Sequence, residues 1–540
     1  MKKRFLGSAG ILALLMLVSG GIISCATDRR AAAPMVLGRA DVVVVGAGSA
    51  GLMAAIAARE GGASVILIER RHVTGGAAAI SGDNRGAPGS ALQRQYHPEL
   101  NDTAETWMEL KRLRTSMSLS RPSNPALPDW EAVRWLIDQS VPLIDWLMDR
   151  GLDMQIHNFA RDQQNRFHNA RHVPGQPAGM GHQNFLHDLA VARGVTILLN
   201  TRGIAVQQDA GSRSRVTGVY TEGGGVIYAN AVILATGGFA QDPGRFIRDW
   251  DNAAPFTYIL PAPAPAGTWA GDGIAMAIMS GGVLWDDQWV NTLNLNPIVP
   301  ISRNTTGEGA ISTSAGIHTI AGVGSFDFVS GMYLMSNGER PGNENNHYSL
   351  TSDYLFYARQ QGYRLFAIID SSVHTYPNGA TSYFAPTATQ LATNGVYQGA
   401  TLQALAEAAG IPANRLNHWV SIFNNFADGG DDPLMHPSDP HQITPTLTQP
   451  IRPRGLRTGP FFAIELVPNL MGTFGGVITE KETGRVLTST GQFIPGLYAA
   501  GEVSNRQFWD RIYNTGTALL QSSVSGKLSG MHAAEFVSQR

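Results

Sequence analysis

Cysteine is nearly missing from this chain. Its 540 residues hold one, Cys25. A single thiol excludes an intrachain disulfide framework, an iron–sulfur cluster held by this chain, a CxxCH haem site and any Cys-based zinc cluster. Charge is scarce as well. Asp, Glu, Lys and Arg make up 15% of the residues, against the usual ~25%. With 40 basic and 42 acidic side chains the net charge is −2. No basic field exists to recruit nucleic acid, and no acidic tail is visible. Internal repeats and low-complexity tracts are absent too. What remains is a globular composition, 43% hydrophobic, whose 61 Gly and 29 Pro imply many turns. The length allows two to four domains of roughly 150 residues and a large core.

The one cysteine closes an apolar leader. Lys2, Lys3 and Arg4 are basic, Phe5 to Val18 is mostly apolar, and Gly20, Gly21 and Ser24 are small. This layout predicts a signal peptide over residues 1–25 and is too short for a comfortable membrane span. Ile22-Ile23-Ser24-Cys25 resembles a bacterial lipobox. The resemblance implies lipidation at Cys25 and a lipid-anchored protein at the periplasmic face of a membrane. The competing readings are a plain secreted chain with a cleaved leader, or a buried thiol. Residues 26–40 read as a linker.

Asp41 to Val45 contains a β-branched run, the pattern of a buried parallel strand. Gly46-Ala47-Gly48-Ser49-Ala50-Gly51 follows, then a helical stretch to Glu60, a second apolar run over Val65 to Ile68, and Glu69. Strand, GxGxxG, helix, strand and acid, in that order, predict a dinucleotide site. Gly46 allows the tight turn. Gly48 lets backbone approach a pyrophosphate at the helix start, where Ser49 and Ala50 lie. Gly51 allows helix–strand packing. Glu69 suits ribose hydroxyls. Beyond Arg70, the pairs Gly75-Gly76 and Ser81-Gly82 favour FAD over NAD, because FAD must cross more backbone.

Further segments complete a pattern. Ala231 to Leu234 is another buried strand, leading into Thr236-Gly237-Gly238. Ala270-Gly271-Asp272-Gly273 opens a helix, and Leu497 to Ala500 leads into Gly501-Glu502. From Asp41 to Phe536 the chain resembles the FAD-dependent flavoproteins of the fumarate reductase and 3-ketosteroid dehydrogenase superfamily. That resemblance implies an α/β fold, in which a Rossmann-like FAD-binding domain, a parallel sheet flanked by helices, is interrupted by an α+β capping domain. The FAD-binding domain is expected over 41–287 and 472–540, and the cap over 288–471. Thr236, Gly237, Gly238, Asp272, Gly501, Glu502, Ala518 and Leu519 join the expected FAD contacts. Gly338 to Glu344 is similar to the family's GxRFxNE turn, with Pro341 in place of the aromatic.

The substrate positions differ from those of fumarate reductases, which bind a small dianion with arginines and histidines. Counted from Asn343-Glu344, the proton-donating arginine falls on Tyr348. The second substrate arginine falls on Tyr513, and a substrate histidine on Gly472. A dicarboxylate buried without those cations would be unpaired, at several kcal/mol per ion. The same replacements resemble 3-ketosteroid dehydrogenases. By that resemblance Tyr348 is the acid/base, and Tyr513 with the Gly516 backbone polarises a ketone oxygen. A phenol, with a pKa of ~10, donates well and accepts poorly at neutral pH. Either tyrosine read alone is equally a packing residue with a satisfied hydroxyl.

The expected activity is therefore hydride transfer between FAD and a carbon–carbon bond beside a carbonyl in an apolar enone or ketone. Its rivals are a fumarate-, urocanate- or cinnamate-type enoate reductase, and a non-catalytic flavin electron-transfer or binding protein. An exported enzyme meets little NAD(P)H, so a quinone, a cytochrome or oxygen is the expected electron partner. His168, His172, His182 and His187 read as a glycine-rich loop near the flavin rather than as the competing reading, a metal site. The acid run Asp428 to Asp432 reads as a solvated loop.

Overall fold

The β-branched run is the buried end of the strand Met35–Val45 in the computed structural model. The structure describes residues 34–98, 102–120, 124–157, 167–171, 178–210, 214–247, 258–259, 269–298, 331–344, 346, 348–372, 374–375, 381–382, 387–435 and 453–540. The leader and Cys25 lie outside them. The strand begins inside the stretch expected to be a linker, because Leu37 packs against Gly225 and Arg39 lies 4.3 Å from the Tyr228 ring.

Val42 to Val45 pair in parallel with Val65 to Ile68, and Ile66 to Ile68 pair in parallel with Thr196 to Leu198. On the other side stand the strands Gly225–Leu234, Phe493–Ala499 and Arg485–Leu487. Gly203–Gln208 and Val216–Thr221 complete an eight-stranded sheet. The core strands carry Val, Ile and Leu on both faces, as strands covered on both sides require. One covering layer is the helix Ser49–Glu60, clasped by the last helix, Ala518–Ser538. Gly526 and Gly530 lie against the Ala50 and Ala54 carbonyls so closely that a Cβ on either would collide.

A second, six-stranded sheet is built on the long strand Phe461–Phe474, which pairs with Tyr258–Ile259, Trp289–Pro297, Leu365–Asp370 and Val396–Gly399; Gly331–Met335 extends it. Helices Leu402–Ala409 and Ala413–Ala427 bury Leu405, Leu416 and Phe423 in one small core. Helix Tyr348–Gln360 buries Tyr354 and Leu355 in another. The expected boundary at 471/472 falls inside Phe461–Phe474. This strand stays paired with Trp289–Pro297 to its end, where Phe474 joins the core of the first sheet.

The acid run corrects one expectation. Asp428 is exposed and paired with Arg457, but Asp432 is buried. Its carboxylate receives two hydrogen bonds from Arg340, at 3.0 and 2.7 Å, and one from Asn343 at 2.7 Å. Arg340 also pairs with Glu344. The GxRxxNE-like turn is thus a buried charge network that locks the loop after Ala427 onto the second sheet.

Candidate functional site

A cleft opens where the parallel strands end, the usual ligand position in such sheets. Gly46 has φ +100°, and a Cβ there would lie 2.5 Å from the Ala235 carbonyl oxygen. Gly51 packs under Gly46, where any Cβ would strike the Gly46 carbonyl. The helix that follows starts at Gly48 with no side-chain cap, so the first-turn N–H groups face the cleft. A Cβ on Gly48 would meet nothing within 4 Å. That combination of open space, bare N–H donors and glycine backbone fits a pyrophosphate.

Glu69 lies beside it. Its carboxylate accepts from the N–H of Ala47 at 2.8 Å and of Arg71 at 2.9 Å. These bonds fix its orientation and leave lone pairs toward the cleft for ribose hydroxyls. Of the expected cofactor residues, Gly46, Gly48, Ser49, Ala50, Glu69, Arg70, Gly76, Thr236, Gly237, Asp272, Gly501, Glu502, Ala518 and Leu519 line this cleft. Gly51, Gly75, Ser81, Gly82 and Gly238 stand behind the lining. Gly75 binds the Ala47 carbonyl, and the Ser81 hydroxyl donates to the Ala78 carbonyl at 2.7 Å. Thr236 accepts from the Gly273 N–H at 2.8 Å and so ties the neighbouring helix to the cleft floor.

Local pattern did not reveal Arg202, which also lines the cleft, as does Trp269. Arg202 grips Asp272 with two bonds of 2.9 Å, and Arg70 approaches the same carboxylate at 3.3 Å. The available signal was position. Arg202 follows the edge strand Thr196–Leu198, which pairs in parallel with Ile66–Ile68, and so lies at the ligand end of the sheet.

The glycines give a contrast to test. Gly51→Ala is expected to destabilise the apoprotein, whereas Gly48→Ala is expected to fold normally and lose most of its bound flavin. Thermal melts of the apoproteins, with flavin absorbance of the purified holoproteins, check both.

Glu502 is half-buried at the far wall of the cleft. Burial pushes its carboxyl up to about 7, against bonds from the Thr473 N–H at 3.0 Å and hydroxyl at 3.1 Å that favour the charged form. A Cβ on Gly472 would lie 2.8 Å from Glu502 Oε1. The space beside Gly472 is therefore already filled by a carboxyl group.

Tyr513 is buried in an aromatic stack. Its ring centroid lies 6.5 Å from Phe474 and 5.6 Å from Trp509, and Phe474 stacks on Trp509 at 4.9 Å. Burial pushes the phenol up to about 12, while its oxygen accepts from the backbone N–H groups of Ala518 and Gly516. Gly516 thus meets Tyr513 directly. It has φ +86°, and a Cβ there would lie 2.8 Å from the Phe167 ring. Tyr348 opens the helix Tyr348–Gln360; its side chain lies outside those described.

The described histidines lie not on a loop but on the strand Phe167–Ala170, which carries His168, and the helix Ala178–Ala192, which carries His182 and His187. His168 donates to or accepts from Ser90 Oγ at 2.6 Å, and burial lowers it to about 4, so it is neutral. His182 pairs with Asp83 at 3.2 Å, and His187 with Thr74 at 3.2 Å. His172 lies outside the described residues. Among the described residues no three His, Cys, Asp or Glu side chains group as metal ligands would.

Residues 41–516 match the family described as FAD binding domain. A fumarate reductase (cytochrome) of Shewanella frigidimarina is 30% identical over 509 residues, covering 92% of this chain and 77% of that protein. A vinyl phenol reductase of Lactiplantibacillus plantarum is 26% identical over 539 residues, 93% of this chain and 97% of that one. Among solved structures, a 3-ketosteroid-Δ4-(5α)-dehydrogenase from Rhodococcus jostii with 4-androstene-3,17-dione shares the fold. Its TM-score is 0.64 at 22% identity, over 93% of this chain and 99% of that one.

Proposed function

Because the chain belongs to the FAD-binding domain family, and is an FAD-dependent oxidoreductase of the fumarate reductase and 3-ketosteroid dehydrogenase superfamily acting on carbon–carbon bonds, we propose that it transfers hydrogen across a bond next to a carbonyl in an uncharged, apolar substrate of the 3-ketosteroid type. The observation that carries this reading is the Tyr513 hydroxyl, walled by Phe474 and Trp509 and steadied by the backbone N–H groups of Gly516 and Ala518. An oxygen that accepts from two N–H groups keeps its own proton for donation. With a pKa of about 12 that proton stays in place at any physiological pH.

FAD, when bound, exchanges hydride with one substrate carbon. The rest falls to side chains. Tyr513 donates to the ketone oxygen and draws charge onto it, which acidifies the α-carbon. Tyr348 exchanges the proton at that carbon. Phe474 and Trp509 supply an apolar wall, and aromatic surface suits a fused-ring or arene substrate. Glu502 beside Gly472 weighs against a dicarboxylate, since a carboxyl group there gives an anion no cation to pair with.

A second reading, reduction of an acrylate or a vinyl arene, is favoured by the match to the fumarate and vinyl phenol reductases over most of their length. In either reading residues 288–471 cap the flavin, and a quinone, a cytochrome or oxygen completes the electron flow. We place the protein outside the cytoplasm, anchored through Cys25. Among the described residues no helix is long and apolar enough to cross a membrane.

Anaerobic flavin spectroscopy tests the proposal. Saturated 3-ketosteroids are expected to bleach the oxidised flavin, or their enones to reoxidise the dithionite-reduced flavin. Turnover of fumarate with no response to ketosteroids would overturn it. Response to 4-vinylphenol or cinnamate alone would establish the second reading.

A further inference from the structure

We infer that Lys111, seconded by Arg114, is a positioning residue for Tyr513. The inference rests on the role given above to the phenol. Tyr513 sits on irregular backbone between Phe508 and the final helix, and that backbone is buried. Buried N–H and C=O groups outside helices and strands must find other partners. Here the partners are largely charged side chains.

Lys111 belongs to the helix Ala104–Ser116 and is 2% exposed. Its Nζ donates to Asp510 Oδ1 at 2.5 Å and to the carbonyl of Ile512. Asp510 Oδ1 also accepts from the Ile512 N–H at 2.9 Å. Ile512, the residue before Tyr513, is therefore held at both its N–H and its C=O by one ion pair. One turn along the same helix, Arg114 donates to Asn514 Oδ1 at 3.4 Å, on the other side of Tyr513. Helical spacing i, i+3 puts these two cations on one face. From behind, Arg506 donates to the carbonyls of Trp509 at 2.5 Å and Asp510 at 2.8 Å and pairs with Asp287 at 2.6 Å.

The arrangement is directional. The peptide that joins Ile512 to Tyr513 carries the carbonyl that Lys111 holds, so a shift of Nζ is passed directly to the tyrosine. A displacement of ~1 Å at a donor aimed at a reacting oxygen costs up to ~100-fold in rate. Lys111 touches neither substrate nor cofactor in this scheme and acts through Tyr513.

The test is a double-mutant cycle on the holoenzyme, using the substrate that changes the flavin spectrum. Lys111→Met is expected to keep its flavin and lose ~10- to 100-fold in kcat, with KM altered less than about threefold. Lys111→Arg is expected to recover most of that loss. In a Tyr513→Phe background, Lys111→Met is expected to add less than about threefold. If Lys111→Met does not fold, Lys111→Met with Asp510→Asn removes both charges, keeps the acceptor for Ile512, and enters the same cycle. An unchanged kcat, or an undiminished loss on the Tyr513→Phe background, overturns the inference alone. A silent Tyr513→Phe overturns the reading of Tyr513 and this inference with it.

Discussion

Tyr513→Phe is expected to lower kcat by ~10²- to 10³-fold with flavin still bound, the loss seen when one preorganised donor to a developing oxyanion is removed. The phenyl ring keeps its place between Phe474 and Trp509, so packing is conserved and only the O–H is deleted. The residues around the glycine turn and Glu69 are untouched, so the flavin spectrum of the purified variant should match wild type. Stopped-flow flavin reduction reads the rate, and substrate titration reads affinity. The expected signature is a fall in kcat with a much smaller change in KM, because the donor matters most when charge has moved to the oxygen. Its pH behaviour is specific. The phenol is a donor only while protonated, so its contribution persists below about 12 and is lost as pH rises through that value. Any limb of the pH–rate profile near 7 in wild type belongs to another group, and Glu502, at about 7, is the described candidate.

Arg340→Met is expected to cost ~3–5 kcal/mol of stability, the usual penalty for leaving buried charge without its partner. Arg340 bridges two carboxylates, Glu344 through Nε at 2.9 Å and Asp432 at 2.7 and 3.0 Å. All three side chains are buried. Burial pushes the Glu344 carboxyl up even with Arg340 beside it, which holds it down. Without the guanidinium the Glu344 carboxyl rises further, and the folded state binds a proton that the unfolded state at neutral pH does not. The deficit of the variant should therefore shrink as pH falls from 8 toward 5. Arg340→Lys should lie between, since one ammonium cannot reproduce two forks. Denaturant melts at both pH values measure all of this. Turnover is a useful second readout, because the same turn leads into Tyr348.

Both predictions concern residues of different legibility. The dinucleotide site could be read because its chemistry is contiguous. Gly46, Gly48 and Gly51 are forced by local geometry, and Glu69 follows at the end of the next strand. The α/β class was readable for the same reason: apolar runs such as Val42 to Val45 declare themselves by composition. Pairings between distant residues leave no such trace. Arg340 and Asp432 are 92 positions apart, and Lys111 and Asp510 are 399 apart. Asp432 looked solvated because Asp428 and Asp431, its neighbours in the run, are exposed. Its burial is decided by a strand turn far upstream. Arg202 escaped notice in the same way, since its partner Asp272 lies on a helix 70 positions on. That Gly472 lies against a carboxyl group was not legible, since this needs Glu502 brought across the strand end.

The clasp between the first and last helices bears on biosynthesis. The floor of the flavin cleft comes from residues 46–50 and its far wall from residues 500–522. Ser49 and Ser523 meet at 3.1 Å, and Gly526 and Gly530 seat against Ala50 and Ala54. A ribosome-bound chain therefore owns the pyrophosphate turn almost from the start but has nowhere to hold the cofactor until its final two dozen residues emerge. Flavin loading is therefore expected to wait for the last helix, and a chain truncated before Ala518 is expected to purify without flavin.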